Sequence, residues 1–137
     1  MQHWIALLVA MCLNAMANLF VKIGAKQLDA AGGMLAGGAA GGLRRFVSNP
    51  TILLGLIFFG TNVLLYIYAL QGRSLKITIA YPIMVGGGFV IIALVARFHP
   101  ILAEKLTIGQ WVGVFLVMIG IMLLAFGMDR PVSSAAQ

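Results

Sequence analysis

Carboxylates are almost missing from this sequence: Asp29, Glu104 and Asp129 are the three acids, against nine Lys and Arg in 137 residues. Charged residues make up only 9% of the chain and hydrophobic ones 62%, with a mean hydropathy of +1.07, which excludes an ordinary water-soluble domain. No stretch is left over for a soluble catalytic unit. Cysteine is equally scarce. The one Cys12 lies inside the first apolar run, so there is no disulfide framework and no cysteine metal site, and it reads as a small packing residue. His3 and His99 lie at opposite ends of the apolar region and read as interfacial polar residues. No Ser/His/Asp arrangement, P-loop, acid pair or metal-ligand cluster is present, so the sequence points away from an enzyme and calls for no cofactor or metal.

What is abundant is hydrocarbon. Four apolar runs, at about 4–23, 51–71, 75–97 and 106–127, are each long enough at ~1.5 Å per residue to cross a core of ~30 Å. The expected fold is an all-α membrane protein with four transmembrane helices in an antiparallel bundle, forming one domain over 1–128 with a disordered tail at 129–137. Ala15-Met16-Ala17 fits a signal cleavage site, but the leader Met1-Gln2-His3 has no cation and the apolar run resumes at Leu19, so the first span is expected to be kept. The turn Gln71-Gly72-Arg73-Ser74 is short, which predicts that the second and third spans pack as antiparallel neighbours.

Polar residues within the spans carry the functional information, because an amide gains nothing by facing acyl chains. Asn14, Asn18 and Lys22 recur every four residues and so share one helix face, with Lys26 continuing the line. Asn62 and Tyr66 share a face of the second span in the same way. They either extend that polar surface or bond a neighbouring helix. In the third span, Tyr81-Pro82 precedes Gly86-Gly87-Gly88. Pro82 removes one backbone hydrogen bond, so the third helix is expected to kink at Pro82 and Gly86-Gly88, and the glycines either form a hinge there or allow close helix packing. The fourth span has no polar residue beside its glycines. Gly109 and Gly113 form a GxxxG pair, Gly120 and Gly127 continue Gly113 at intervals of seven, and the resulting ridge suggests a subunit contact.

The connection from about 25 to 50 holds six glycines between Ala30 and Gly42 and reads as a flexible loop. Its Leu43-Arg44-Arg45-Phe46-Val47 stretch either lies in the lipid headgroup region or caps the second span. The cations follow membrane topology and imply no nucleic acid. Arg73, Lys76 and Arg130 lie on the side of the termini, and Lys22, Lys26, Arg44, Arg45, Arg97 and Lys105 on the other, which favours the latter face in the cytoplasm.

Trp4, Lys22 closing the first span, Ile79-Ala80-Tyr81 followed by Gly86 and Gly88, and the Gly113 to Gly120 spacing resemble the four-helix small multidrug resistance proteins of the drug/metabolite transporter superfamily. Ala80-Tyr81-Pro82-Ile83, Glu104-Lys105-Leu106-Thr107 and Gln110-Trp111-Val112-Gly113 look more like one branch, the small subunits of the aminoarabinose-phosphoundecaprenol flippase. The likeness covers nearly the whole chain except the Gly-rich loop and the tail. It implies a transporter of the bacterial inner membrane, a homodimer or a heterodimer with a related four-helix subunit. Drug-exporting members carry a glutamate in the first helix that binds drug or protons, and here Asn14 stands at the matching position.

Asn14 cannot titrate, and none of the four apolar runs holds an acid, so proton-coupled export of cationic drugs loses its mechanism. An amide face ending in a cation suits an anionic, sugar-like head. The leading expectation is therefore a flippase for a polyprenyl-phosphate-linked sugar, with Asn14, Asn18, Lys22, Asn62, Tyr66 and Tyr81 binding it and Pro82 with Gly86, Gly87 and Gly88 as hinge. A small-solute or drug exporter without the glutamate, and a structural subunit of a larger membrane complex, are the alternatives.

Overall fold

The computed structural model describes residues 1–33, 37–72, 75–98, 102 and 105–126. Those residues form five helices: α1 (Gln2–Ala30), α2 (Gly38–Ser48), α3 (Pro50–Leu70), α4 (Ile77–Phe98) and α5 (Ile108–Phe126). α1, α3, α4 and α5 are the four that are long and apolar enough to cross a membrane, so the chain is an all-α, multi-pass membrane protein. The tail expected to be disordered, with Gly127, His99 and Glu104, lies outside the described residues.

Local chemistry sets most of the helix ends. At the start of α3, the Asn49 side-chain oxygen accepts from the Thr51 and Ile52 amides at 2.9 and 3.1 Å, and Pro50 takes the first helical position, where its missing N–H is no loss. α5 opens on a capping box in which the Thr107 amide donates to Gln110 Oε1 at 2.7 Å and the Gln110 amide returns to Thr107 Oγ1 at 3.4 Å. α1 is stopped by glycines. Gly32, at a φ of 101°, and Gly33 send their amides back to Asp29 and Leu28 carbonyls, a Schellman closure that requires a left-handed residue.

Two expectations are corrected here. α1 continues to Ala30, past the end of the apolar run at 23, because its stop is conformational and not hydropathic. The stretch read as a flexible loop instead contains α2, an 11-residue helix. Its glycines cluster before and within its first two turns, while Leu43 to Ser48 supply side chains that hold a helix.

The neighbour order in the membrane also differs from expectation. α3 and α4, predicted to pack together across their short turn, make no extended contact; each packs on α1, and α5 packs on α4. The reason lies in the side chains at the seams. Ala10, Ala17 and Gly24 are buried on α1 at intervals of seven, one smooth line that lets α3 approach closely. A β-carbon added at Gly55 would lie 3.1 Å from the Ala17 carbonyl oxygen, one at Gly24 would overlap Ile52, and one at Gly72 would fall 2.8 Å from the His3 ring. These pairings run antiparallel, 24 against 52, 17 against 55 and 3 against 72. α4 lies parallel to α1, with Gly87 against Met11 and Gly88 against Asn14, and antiparallel to α5, with Gly86 against Ile121 and Val117.

The buried core sits toward one end. Ala6, Leu7 and Ala10 from α1 meet Ala69, Leu75, Ala80, Ile83 and Met84, flanked by Trp4, Tyr66 and Ile121. At that end His3 Nδ1 lies 3.1 Å from the Tyr68 carbonyl oxygen and the two rings stack at 5.1 Å. The opposite, basic end has buried residues of its own, Leu28, Ile52, Ala96 and Leu102 among them.

Candidate functional site

At the basic end a crevice of about 220 Å³ runs between α1 and α4. Asn18, Leu19 and Lys22 line it from α1, Ile92 and Ala96 from α4, and Leu102 from the segment beyond. Lys26 Nζ donates to the Leu102 carbonyl at 3.2 Å and closes one end. A second groove, of about 300 Å³, is lined by Lys22, Ala25, Lys26, Leu28 and Asp29, so Lys22 borders both spaces. The four-residue repeat thus delivers an amide and an ammonium into one concavity, because small Ala96 on α4 leaves room opposite.

Asn14 lies one turn deeper. Its side-chain nitrogen is 3.0 Å from where a β-carbon on Gly88 would lie, so the absence of a side chain at Gly88 makes the space it occupies. The Asn18 amide donates to the Asn14 carbonyl at 2.8 Å, which spends one donor on its own helix and leaves its carbonyl oxygen for a ligand.

Asn62 and Tyr66 share a face of α3, and both carry an unmet polar atom. Asn62 is only 3% exposed, and neither its Oδ1 nor the buried Tyr66 hydroxyl has a hydrogen-bond partner. In an apolar interior such atoms are destabilising until a donor arrives. By the antiparallel register Asn62 stands opposite the stretch of α1 between Ala10 and Asn14. Tyr81 meets the Tyr66 ring at 6.5 Å but is itself 55% exposed and borders a shallow outer groove with Ile77, Thr78 and Pro82. The six expected ligand residues therefore fall into three places: Asn18 and Lys22 in the crevice, Asn14 packed against Gly88 one turn away, and Asn62 with Tyr66 on α3, where Tyr81 faces the Tyr66 ring.

Pro82, Gly86, Gly87 and Gly88 all lie within the continuous α4. The glycines are seams on two sides, Gly86 receiving α5 and Gly87 and Gly88 receiving α1. Gly109, Gly113 and Gly120 on α5 have nothing near a would-be β-carbon, and Val114 is the one residue of α5 that is buried. Among the described residues no group of His, Cys, Asp or Glu could hold a metal ion. Leu19, Ile92, Ala96 and the Lys26 tie to Leu102 were not singled out from sequence; Ile92 and Ala96 recur at four on α4, but an apolar pair at that spacing carries no mark of a site.

Comparison with known proteins finds one relative along nearly the whole chain and others along about half of it. The chain is 35% identical over 124 residues to the uncharacterized protein y4nH of Sinorhizobium fredii, covering 90% of this chain and 95% of that one. The chain belongs to the y4nH family. This y4nH-family protein is also 38% identical over 76 residues to a probable 4-amino-4-deoxy-L-arabinose-phosphoundecaprenol flippase subunit, ArnE, of Pseudomonas fluorescens, covering 56% of this chain and 62% of that one. The corresponding ArnE of Yersinia pestis is 32% identical over 75 residues, 55% of this chain and 61% of its own. The match thus spans about three fifths of the ArnE relatives' length. No family model matches the y4nH-family chain, and no solved structure does.

Proposed function

We propose that this protein is a flippase, or a flippase subunit, that carries the head of a polyprenyl-phosphate-linked sugar across the membrane. The observation that supports the reading is the crevice between α1 and α4, which Asn18 and Lys22 line at the basic end and which, among the described residues, no acid lines. A phosphodiester pairs there with the Lys22 ammonium, sugar hydroxyls bond Asn18 and Asn14, and the polyprenyl chain stays in lipid. Lys22 and Asn14 are eight residues apart, about 12 Å along a helix. A monosaccharide phosphate is shorter than that, so the head engages the two in succession. Asn62 Oδ1 and the Tyr66 hydroxyl are the acceptors met at the deeper position. Pro82 and the Gly86 to Gly88 run supply the flexion between the two positions. The similarity to ArnE supports a lipid-linked head as the cargo.

The same chemistry argues against export of cationic drugs, since an ammonium and neutral amides offer a cation no counter-charge. The test is transfer of a polyprenyl-phosphate sugar across proteoliposomes. Lys22→Ala and Asn14→Ala proteins insert normally and lose transfer. Unchanged transfer in both variants would refute the assignment.

A second feature bears on assembly. α5 is open along nearly its whole length, and its Gly109, Gly113 and Gly120 line stays uncovered within the subunit. We read it as the seam for a second four-helix chain, a copy or a relative, in the inner membrane.

A further inference from the structure

Beyond transport, the segment that the resemblance left uncovered has its own design. α2 is amphipathic: Leu43, Phe46 and Val47 fall on one face at spacings of three and four, with Ala39 and Ala40 continuing it. Leu43 and Val47 are 63% and 54% exposed and Phe46 is half-buried, so the protein covers that face only in part. Gly42 is buried, and α2 touches α3. On the other flank, Arg45 Nη1 donates to the Ala31 carbonyl at 3.1 Å and lies 3.5 Å from that of Gly33, fixing α2 to the end of α1. Arg44, one position on from Leu43, sits at the border between the apolar and polar faces and is exposed.

The depth of α2 follows from its ties. It ends at Asn49, which caps α3 and donates from Nδ2 to Gln27 Oε1 at 3.2 Å, and Arg45 reaches the carbonyls just past Ala30. These polar groups lie where α3, one of the four membrane-length apolar helices, begins. Six of the nine cations belong to this same end: Lys22, Lys26, Arg44, Arg45, Arg97 and Lys105. An apolar stripe bordered by an arginine, at the level where acyl chains give way to headgroups, and in a strongly basic surround, is complementary to one thing: an anionic leaflet.

We propose that α2 is a membrane-surface helix that seats Leu43, Phe46 and Val47 among the acyl-chain ends of the leaflet and holds the phosphate of an anionic lipid at Arg44. This role is independent of what the crevice carries. It ties the far end of α1, through Arg45, to the lipid composition of that leaflet.

The test uses the full chain with Cys12→Ala, carrying a spin label at Leu43→Cys, Val47→Cys or Ser48→Cys, in vesicles of phosphatidylcholine with or without phosphatidylglycerol. In the anionic vesicles, labels at 43 and 47 collide with dissolved oxygen and are shielded from a water-soluble nickel chelate, while position 48 shows the reverse. Adding Arg44→Gln moves the balance at 43 and 47 about fivefold toward the nickel-accessible form, the effect of one cation near an anionic surface. Labels at 43 and 47 as open to nickel as position 48 in both vesicle types overturn the proposal. A seated pattern indifferent to both lipid charge and Arg44→Gln overturns it as well.

Discussion

Replacing Asn62 by Leu separates a binding residue from a fold residue. Asn62 is 3% exposed and its Oδ1 meets no donor, so the folded protein carries an unmet acceptor. A buried polar atom in that state costs about 1–3 kcal/mol, and Leu keeps the same number and branching of side-chain heavy atoms without it. Helix hydrogen bonds in membranes average near ~0.6 kcal/mol, so little is lost even where a weak partner exists. Asn62→Leu is therefore expected to stabilise the protein by about 1–3 kcal/mol, a shift of roughly 5- to 140-fold in the folding equilibrium. Steric trapping in bicelles measures that shift directly. The same variant is expected to lose transfer of the lipid-linked head, since the deeper acceptor is gone. A destabilisation of ~1 kcal/mol or more would refute the reasoning, because it would mean that Oδ1 is satisfied in the folded state.

Gly55→Ala is expected to destabilise by about 1–3 kcal/mol in the same trapping assay, because the new methyl meets the Ala17 carbonyl oxygen and Val21 nitrogen, both backbone atoms at 3.1 Å, which cannot turn aside. An unchanged trapping curve would mean that α1 and α3 are not seated as described. Gly60→Ala, on α3 with open space around it, is the control and stays within ~1 kcal/mol, the range of helix propensity alone. Gly120→Leu should leave the subunit folded and disperse its oligomer, read as a fall in mass in detergent; an assembly that survives would place the subunit seam elsewhere.

Much of the architecture is visible in the residues alone, since a long apolar run has few choices other than to span as a helix. Asn49-Pro50 announces the start of α3, and Thr107 with Gln110 that of α5. Hydropathy located the four spans but misplaced the end of α1, where Gly32-Gly33 was the better guide. Helix neighbours were less legible. A short turn joins α3 to α4 in sequence, yet Ala10, Ala17 and Gly24 draw α3 onto α1, and that line of small residues is only meaningful once its partner, Gly55, is known. The alignment of Asn14, Asn18 and Lys22 on one face was readable from spacing. That Lys22 and Asn18 look at Ala96 and Ile92, while Asn62 and Tyr66 occupy a separate helix, was not, because spacing along one helix says nothing of what stands opposite.

The order of the helices has a bearing on how a cargo would arrive. Since α3 and α4 both pack on α1 and make no extended contact with one another, the seam between them is lightly held, with the Tyr66 and Tyr81 rings 6.5 Å apart across it. In the proposed role, a molecule with a water-loving cap and a tail of isoprene units would slip its cap in sideways while the tail stays in the surrounding oil. A soluble solute has no such anchor, and would drift off through the same seam it came in by.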